Sequence, residues 1–489
     1  MSSCKLIIKD EVNVKFENLD LHWRQKLHNK FKYEIPYARH LPAVKLGRWD
    51  GKVAFFGLGG TTYLALVEQI LPILEEGGVY VEYEDQRQQH NFEFKRIDKD
   101  YLSHIKWPNN HPAHGQPIEL RDYQVETINK FIEDPQCIQE IATGAGKTII
   151  TAALCQLVEP YGRTLTIVPN KSLVTQTEED FLTCNLDTGV YYGDRKELGR
   201  YNTIATWQSL NVLEKKSKDE HTADFLEAIK GINTVIIDEV HMAKADVLKR
   251  MLTGPLAHCG IRWGLTGTVP KADYEFMGIR CSIGEVVNRI AASTLQDKGV
   301  LANCNVNVLQ TLETKEFSNY QEELKWLTTD DKRMSYIAQT INTIVSSGNT
   351  LILVDRISAG EILEKKLPGS VFISGSTKNP DRKEQYDEVS TATNKIIIAT
   401  YGVASVGINI PRIFNLVLIE PGKSFVRVIQ SIGRGIRKAE DKDHVEIWDI
   451  TSSCKFAKRH LGQRKKFYKE ANYPYNIHKI DYENPYIRK

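Results

Sequence analysis

Ile141-Ala-Thr-Gly144-Ala-Gly146-Lys147-Thr148 lies between an apolar run, Cys137–Ile141, and a stretch of helical composition, Ile149–Leu154. Further along, Thr234-Val-Ile-Ile-Asp238-Glu239-Val-His241 ends a second apolar run in two adjacent carboxylates. A strand–loop–helix of the first kind points backbone N–H groups and a helix N-terminus at phosphates. Thr143, Gly144, Ala145 and Gly146 would form the cradle, Lys147 would reach the β- and γ-phosphates, and the Thr148 hydroxyl would bind Mg²⁺. Position 141 holds Ile where the full pattern has Gly. The second stretch supplies the other half of such a site. Acids that end an apolar strand lie at the carboxyl edge of a parallel sheet, where ligands bind. Asp238 would hold Mg²⁺ and Glu239 would polarise the attacking water. Together the two stretches predict an ATPase.

Around this centre the chain repeats one texture. Cys137–Ile141, Thr164–Pro169, Thr203–Trp207, Thr234–Glu239 and Arg262–Thr268 are short, β-branched apolar runs separated by helical-looking segments. The series restarts with Asn349–Asp355, Val371–Gly375, Lys395–Thr400, Leu416–Glu420 and His444–Ile450. Continuous apolar strands alternating with helices predict parallel sheets buried on both faces. The chain therefore reads as two α/β domains, joined between Gly284 and Leu309, behind a mixed module that ends near residue 112 in a Pro/Gly/Asn-rich linker. The expected divisions are 1–112, 113–300 and 301–489.

Bulk composition is that of an ordinary globular protein, with 41% hydrophobic and 26% charged residues. Lys and Arg number 64 against 62 Asp and Glu, a formal net charge of +2, so any basic binding surface must be local. One such surface is expected between Leu21 and Lys52, where eight Lys/Arg face two acids (8 − 2 = +6), interleaved with Trp23, Phe31, Tyr33, Tyr37 and Trp49. Basic groups neutralise phosphates and aromatics stack on bases, although the rings also suit the module's own core. A second basic stretch, Lys455–Lys469, is helical in composition and has seven Lys/Arg and no acid. The eight cysteines are scattered without a C-x-x-C pair, which reads as buried free thiols in a reducing cytoplasm. The charged start lacks the apolar region of a signal peptide, and no apolar run reaches membrane-span length.

Further motifs make the reading specific. Leu165-Thr-Ile-Val-Pro169-Asn170 with Gln176, Ile204-Ala-Thr206-Trp207-Gln208, and Leu265-Thr266-Gly267-Thr268 follow the phosphate loop in order. In the second half come Ala399-Thr400, continuing to Gly407, Asn409 and Pro411, and then Gln430-Ser-Ile-Gly433-Arg434-Gly-Ile-Arg437. From about 118 to 440 the chain resembles the superfamily-2 helicases, whose motifs occur in this order. The resemblance implies two tandem RecA-like parallel-sheet motor domains with a small N-terminal α+β accessory domain, using ATP and Mg²⁺. It also implies roles. Arg121, Gln124 and Gln430 would help hold the nucleotide, and His241, Thr266 and Thr268 would couple hydrolysis to motion. Pro169, Asn170, Gln176, Thr206, Gln208 and Thr400 would lie on the nucleic acid, with Arg48 and Trp49 of the front module. Arg434 and Arg437, three apart and so on one helix face, would act as arginine fingers. The family usually has Asp where this chain has Asn409.

Asp-Glu-Val-His rather than Asp-Glu-Ala-Asp, and Leu-Thr-Gly-Thr rather than Ser-Ala-Thr, set the chain apart from DEAD-box RNA helicases. They are similar to DNA motors related to RecG, XPB and the restriction-enzyme translocases. The resemblance then implies a 3′-to-5′ motor, expected as a monomer, on branched DNA and RNA–DNA hybrids. Single-strand-binding or recombination proteins would be its companions. An RNA helicase, a restriction-type duplex translocase and an ATP-gated clamp that never moves stay open as alternatives.

Overall fold

The computed structural model describes residues 2–108, 113–241, 246–375, 377, 388, 392–407, 412–423 and 441–483. Each of the ten apolar runs forms a strand. Among the described residues the first sheet has eight strands. Edge to edge they are Arg195–Lys196, Thr188–Tyr192, Asn202–Thr206, Arg163–Val168, Ile232–Asp238, Ile261–Thr266, Gln136–Ile141 and Glu285–Ile290. The six from Thr188–Tyr192 to Gln136–Ile141 pair in parallel. Val235, Ile236 and Ile237 are all buried, which is why this run shows no alternation: helices cover both faces of the sheet.

Among the described residues the second sheet has seven parallel strands, in the order Val371–Ile373, Ile396–Thr400, Thr350–Val354, Asn415–Ile419, His444–Ser452, Asn303–Thr311 and Tyr475–Ile480. Asn303–Thr311 was not expected from sequence. Its asparagines at 303, 305 and 307 interrupt the apolar run, and the first two are exposed. By contacts, residues 1–140 and 146–289 form one compact unit, and 141–145 with 290–489 form another.

The front module is α+β. A four-stranded mixed sheet, Thr61–Tyr63, Asn13–Glu17, Ser2–Ile8 and Val79–Asp85, packs with helices Leu21–Lys30 and Val67–Glu76. Its core does not stop at the module. Met277, Cys281 and Tyr274, from the helix Asp273–Ser282 that precedes strand Glu285–Ile290 of the first sheet, join Phe55, Phe56 and Leu66. The Lys249 ammonium lies 4.3 Å from the Phe55 ring centre and 5.6 Å from that of Tyr63. Glu11 N donates to Ala257 O (3.1 Å) and Asn13 Nδ2 to Thr253 O (2.8 Å). Shared apolar burial and a cation over two rings make this a fixed seam.

All eight cysteines are buried and free. Among the described residues no helix is long and apolar enough to cross a membrane.

Candidate nucleotide site and nucleic-acid edge

The helix Lys147–Val158 starts directly after the loop that follows strand Gln136–Ile141. Gly144 (φ 91°) and Gly146 (φ 77°) take the left-handed conformation that favours glycine. An added Cβ at Gly146 would sit 2.7 Å from Gln124 Nε2, so the Gln124 amide would have to move to admit it. As the residue before the helix Gly146 offers no side-chain cap, which leaves the first amides of the helix aimed at an incoming anion.

Lys147 Nζ stands 3.2 Å from Glu239 Oε1, with both side chains only about a tenth exposed (11% and 10%). Glu239 itself is in the left-handed region, at φ 55°. Outside glycine that costs roughly 1–3 kcal/mol and tends to occur at functional sites. Here the turn leaves the Asp238 carboxylate to accept from Glu239 N (2.9 Å) and sends the Glu239 carboxylate to the lysine.

From Glu239 a chain of contacts continues to the next strand end. His241 Nδ1 lies 3.2 Å from Thr266 Oγ1 and 3.4 Å from Glu239 Oε2. The Thr266 hydroxyl donates its one proton to Thr268 O (2.7 Å) and accepts from Thr268 N (3.2 Å). Its proton being used, the hydroxyl must accept from His241, so Nδ1 of His241 carries the hydrogen. All three residues are buried. Lys147 at the end of the phosphate loop, the acidic turn and the Thr266–Thr268 turn thus form one continuous series of polar contacts.

The residues expected to help hold the nucleotide divide. Arg121 N donates to Gln124 Oε1 (2.9 Å), which closes the start of helix Asp122–Glu133, and the Arg121 guanidinium reaches Tyr123 OH (3.1 Å). Gln124 is buried, with its amide nitrogen toward Gly146, and so meets the nucleotide loop.

Three of the residues expected on nucleic acid share one local motif. Asn170 Oδ1 accepts from Leu173 N (3.1 Å), Thr206 Oγ1 from Ser209 N (3.3 Å) and Thr400 Oγ1 from Val403 N (3.4 Å). Each therefore caps the helix that follows its strand. Thr206 and Val168 are register partners on neighbouring strands, and Gln208 Nε2 donates to Pro169 O (3.3 Å), so the first two of these turns are adjacent. Gln176 is half-buried on the helix Lys171–Thr183.

In the front module Arg48 is exposed and Trp49 half-buried, with its indole N–H given to Lys52 O (2.9 Å). Phe31 is core, Tyr33 stacks edge-on against Phe55, and Tyr37 is exposed. Asn409, Pro411, Gln430, Gly433, Arg434 and Arg437 lie outside the described residues.

Sequence reading missed a buried ionic network in the second sheet. Arg333, wholly buried, gives Nε to Glu313 Oε1 (3.0 Å) and Nη2 to Glu420 Oε1 (2.7 Å). Arg464 clasps Asp449 with two bonds (2.8 and 2.9 Å) and also bonds Gly422 O (2.8 Å), while Tyr468 OH donates to Asp449 (2.7 Å). Burial pushes the Glu420 carboxyl up to about 7, against the pull of Arg333 and Arg464. A signal existed: Ala457, His460, Leu461, Arg464 and Tyr468 recur at helical spacing, which puts Arg464 on the inward face.

Residues 117–271 match the family model for the type III restriction enzyme res subunit, and residues 332–439 match the helicase conserved C-terminal domain. With the two sheets and the ordered motifs, this places the chain in the superfamily-2 helicases, ATP-driven motors with two RecA-like domains. Its relatives include the ATP-dependent DNA helicase uvsW of Enterobacteria phage T4, 26% identical over 90% of this chain and 89% of that protein. A putative DNA 3′-5′ helicase Rad25 of Halobacterium salinarum is 27% identical over 65% of this chain, which spans about half (52%) of that relative. Among solved structures, the ATP-dependent type ISP restriction-modification enzyme LlaBIII bound to DNA shares the fold. Its TM-score is 0.57 at 15% identity, covering 77% of this chain and 33% of that one.

Proposed function

We propose that the chain is an ATP-dependent DNA helicase, moving 3′ to 5′, that remodels branched DNA such as forks, Holliday junctions and R-loops. The observation that carries this reading is the series Lys147–Glu239–His241–Thr266–Thr268, which links a phosphate loop to the turn that superfamily-2 motors use to transmit nucleotide state. Similarity to the phage and archaeal helicases supports DNA, and the archaeal relative's name supports the polarity.

The resting contact between Lys147 and Glu239 has a mechanistic consequence. Each neutralises the other in a site that is almost closed to water. Entering ATP offers Lys147 a stronger anion, and Glu239, released, takes its role of orienting the attacking water. His241 then changes partner with Glu239 and carries that change to Thr266. The Thr148 hydroxyl and the Asp238 carboxylate are hard oxygen donors of the kind Mg²⁺ takes beside phosphates, where it neutralises their charge. Arg434 and Arg437 supply the stabilising cations for the transferring phosphoryl group, and Gln430 assists in holding the nucleotide. Pro169, Asn170, Gln176, Thr206, Gln208 and Thr400 contact the DNA backbone beside helix N-termini, and Arg48 and Trp49 extend that contact. The divisions 1–112, 113–300 and 301–489 are the functional ones.

The test is ATP turnover measured side by side with fork DNA, linear duplex, single strands and RNA. Fork DNA is expected to stimulate most, by tenfold or more over RNA. Stimulation by RNA alone overturns the reading. Equal stimulation by linear duplex favours a duplex translocase, the second reading that the restriction-subunit match supports.

A further inference from the structure

The helix Lys455–Glu470 is basic throughout in sequence, but the fold sorts its cations by face. Ala457, His460, Leu461, Arg464 and Tyr468 are buried, and Arg464 is bound inside by Asp449. The other six cations, Lys455, Lys458, Arg459, Lys465, Lys466 and Lys469, are left to the solvent side, Lys465 half-buried and the rest exposed. With Glu470 that side carries 6 − 1 = +5. Among the described residues the ion pair this helix makes is that of Arg464.

Like charges three and four residues apart repel by about 0.2–0.5 kcal/mol per pair, so an isolated helix of this sequence would be disfavoured. Tertiary anchors hold it. Glu323, buried, accepts from Phe456 N (3.0 Å) and Ala457 N (2.6 Å) at the first turn, and Asp449 grips Arg464 and Tyr468 further on. Lys455, Lys458, Arg459, Lys466 and Lys469 then run along roughly 21 Å of helix at 1.5 Å per residue. At its start the basic surface continues onto half-buried rings. Lys315 lies 4.9 Å from the Trp326 ring centre, and Arg459 lies 5.1 Å from that of Phe456.

We propose that this face is a sequence-independent phosphate track, a second contact of the motor with the DNA backbone. The proposal rests on the DNA-motor reading above. An acidic polypeptide is the other polyanion to consider, but protein interfaces are depleted in Lys and centred on aromatic side chains. The exposed positions here, Lys455, Lys458, Arg459, Gly462, Gln463, Lys466, Lys469 and Glu470, hold none.

The experiment uses the full chain with Lys458, Arg459, Lys466 and Lys469 changed together to Glu, and a second variant with the same four changed to Gln. Kd is measured by anisotropy for labelled fork, duplex and single-stranded DNA across a salt series. Each lost duplex phosphate contact lowers the slope of log K against log salt by about 0.9. Slopes about 2 to 4 smaller, and Kd at least tenfold weaker at moderate salt, are expected for both variants. Turnover without DNA should be unchanged, and the DNA concentration for half-maximal stimulation should rise while saturated turnover holds. Should the Glu variant fold poorly, the Gln variant decides. Unchanged Kd and slope overturn the track, as does loss of polyglutamate binding with DNA binding intact. Should the wild-type chain show no stimulation by DNA, the motor reading has failed; with stimulation present, only the track is at stake.

Discussion

Both parallel sheets end in paired opposite charges, yet the two sets are built differently. In the first, Lys147 meets Glu239 through one bond of 3.2 Å, and each side chain keeps about a tenth of its exposure. In the second, Arg464 grips Asp449 through two bonds below 3 Å and Arg333 grips Glu420 at 2.7 Å, with essentially no exposure. Lysine is a point charge that can be drawn off by a better anion, whereas a buried bidentate guanidinium cannot leave without stranding a charge. The same chemistry thus serves release at one sheet edge and retention at the other.

The largest effect that would break this comparison concerns turnover. Lys147→Ala is expected to lower ATP hydrolysis by a thousandfold or more while costing less unfolding stability than Arg464→Ala, because the Lys147 pair makes one bond and keeps about a tenth of its exposure. Glu239→Gln should keep ATP and DNA binding yet stall. Phosphate release and denaturant titration, run on the same samples, check both. A Lys147 variant that loses stability rather than turnover would make its pair structural.

Next in size, Arg464→Ala leaves Asp449 buried and unpaired, and should cost about 3–5 kcal/mol in equilibrium unfolding. Turnover of the folded fraction without DNA should stay within about threefold. Replacing Arg464 by Met together with Asp449 by Leu should restore much of the loss, because an apolar pair needs no desolvation.

The smallest effect is a pH dependence. Burial first, then the charges of Arg464, Arg459 and Lys423, hold His460 down at about 4. Its folded value lies below the ordinary 6.5, so the folded state binds fewer protons than the unfolded state between the two. The contribution of His460 is therefore fully present above about 6.5 and is lost as pH falls toward 4. His460→Gln should flatten that part of the stability curve relative to wild type; an unchanged curve would show the imidazole to be hydrated.

The front module shows how far sequence reading reached. The net +6 between Leu21 and Lys52 is a sum and is visible without a fold, but its aromatics split between roles that a sum cannot separate. Phe31 and Tyr33 went to the core and Tyr37 to the surface. Nothing near Lys249 or Glu11 in the chain hints that they form the seam with the first motor layer, since Phe55 and Ala257 are distant in sequence.

What the amino-acid order determined by itself were the features set by near neighbours: ten apolar strands, the two-glycine phosphate loop, the acidic strand end and the succession of motifs. Apolar continuity and a glycine's left-handed turn act over a few residues, so they are written locally. Only tertiary structure decided that Glu239 holds Lys147, that His241 donates to Thr266, and that Arg464 turns inward while its neighbours form an outward stripe. Those outcomes depend on which strand ends and helix faces meet, and the energy of burying a charge is fixed by a partner that the local sequence does not contain.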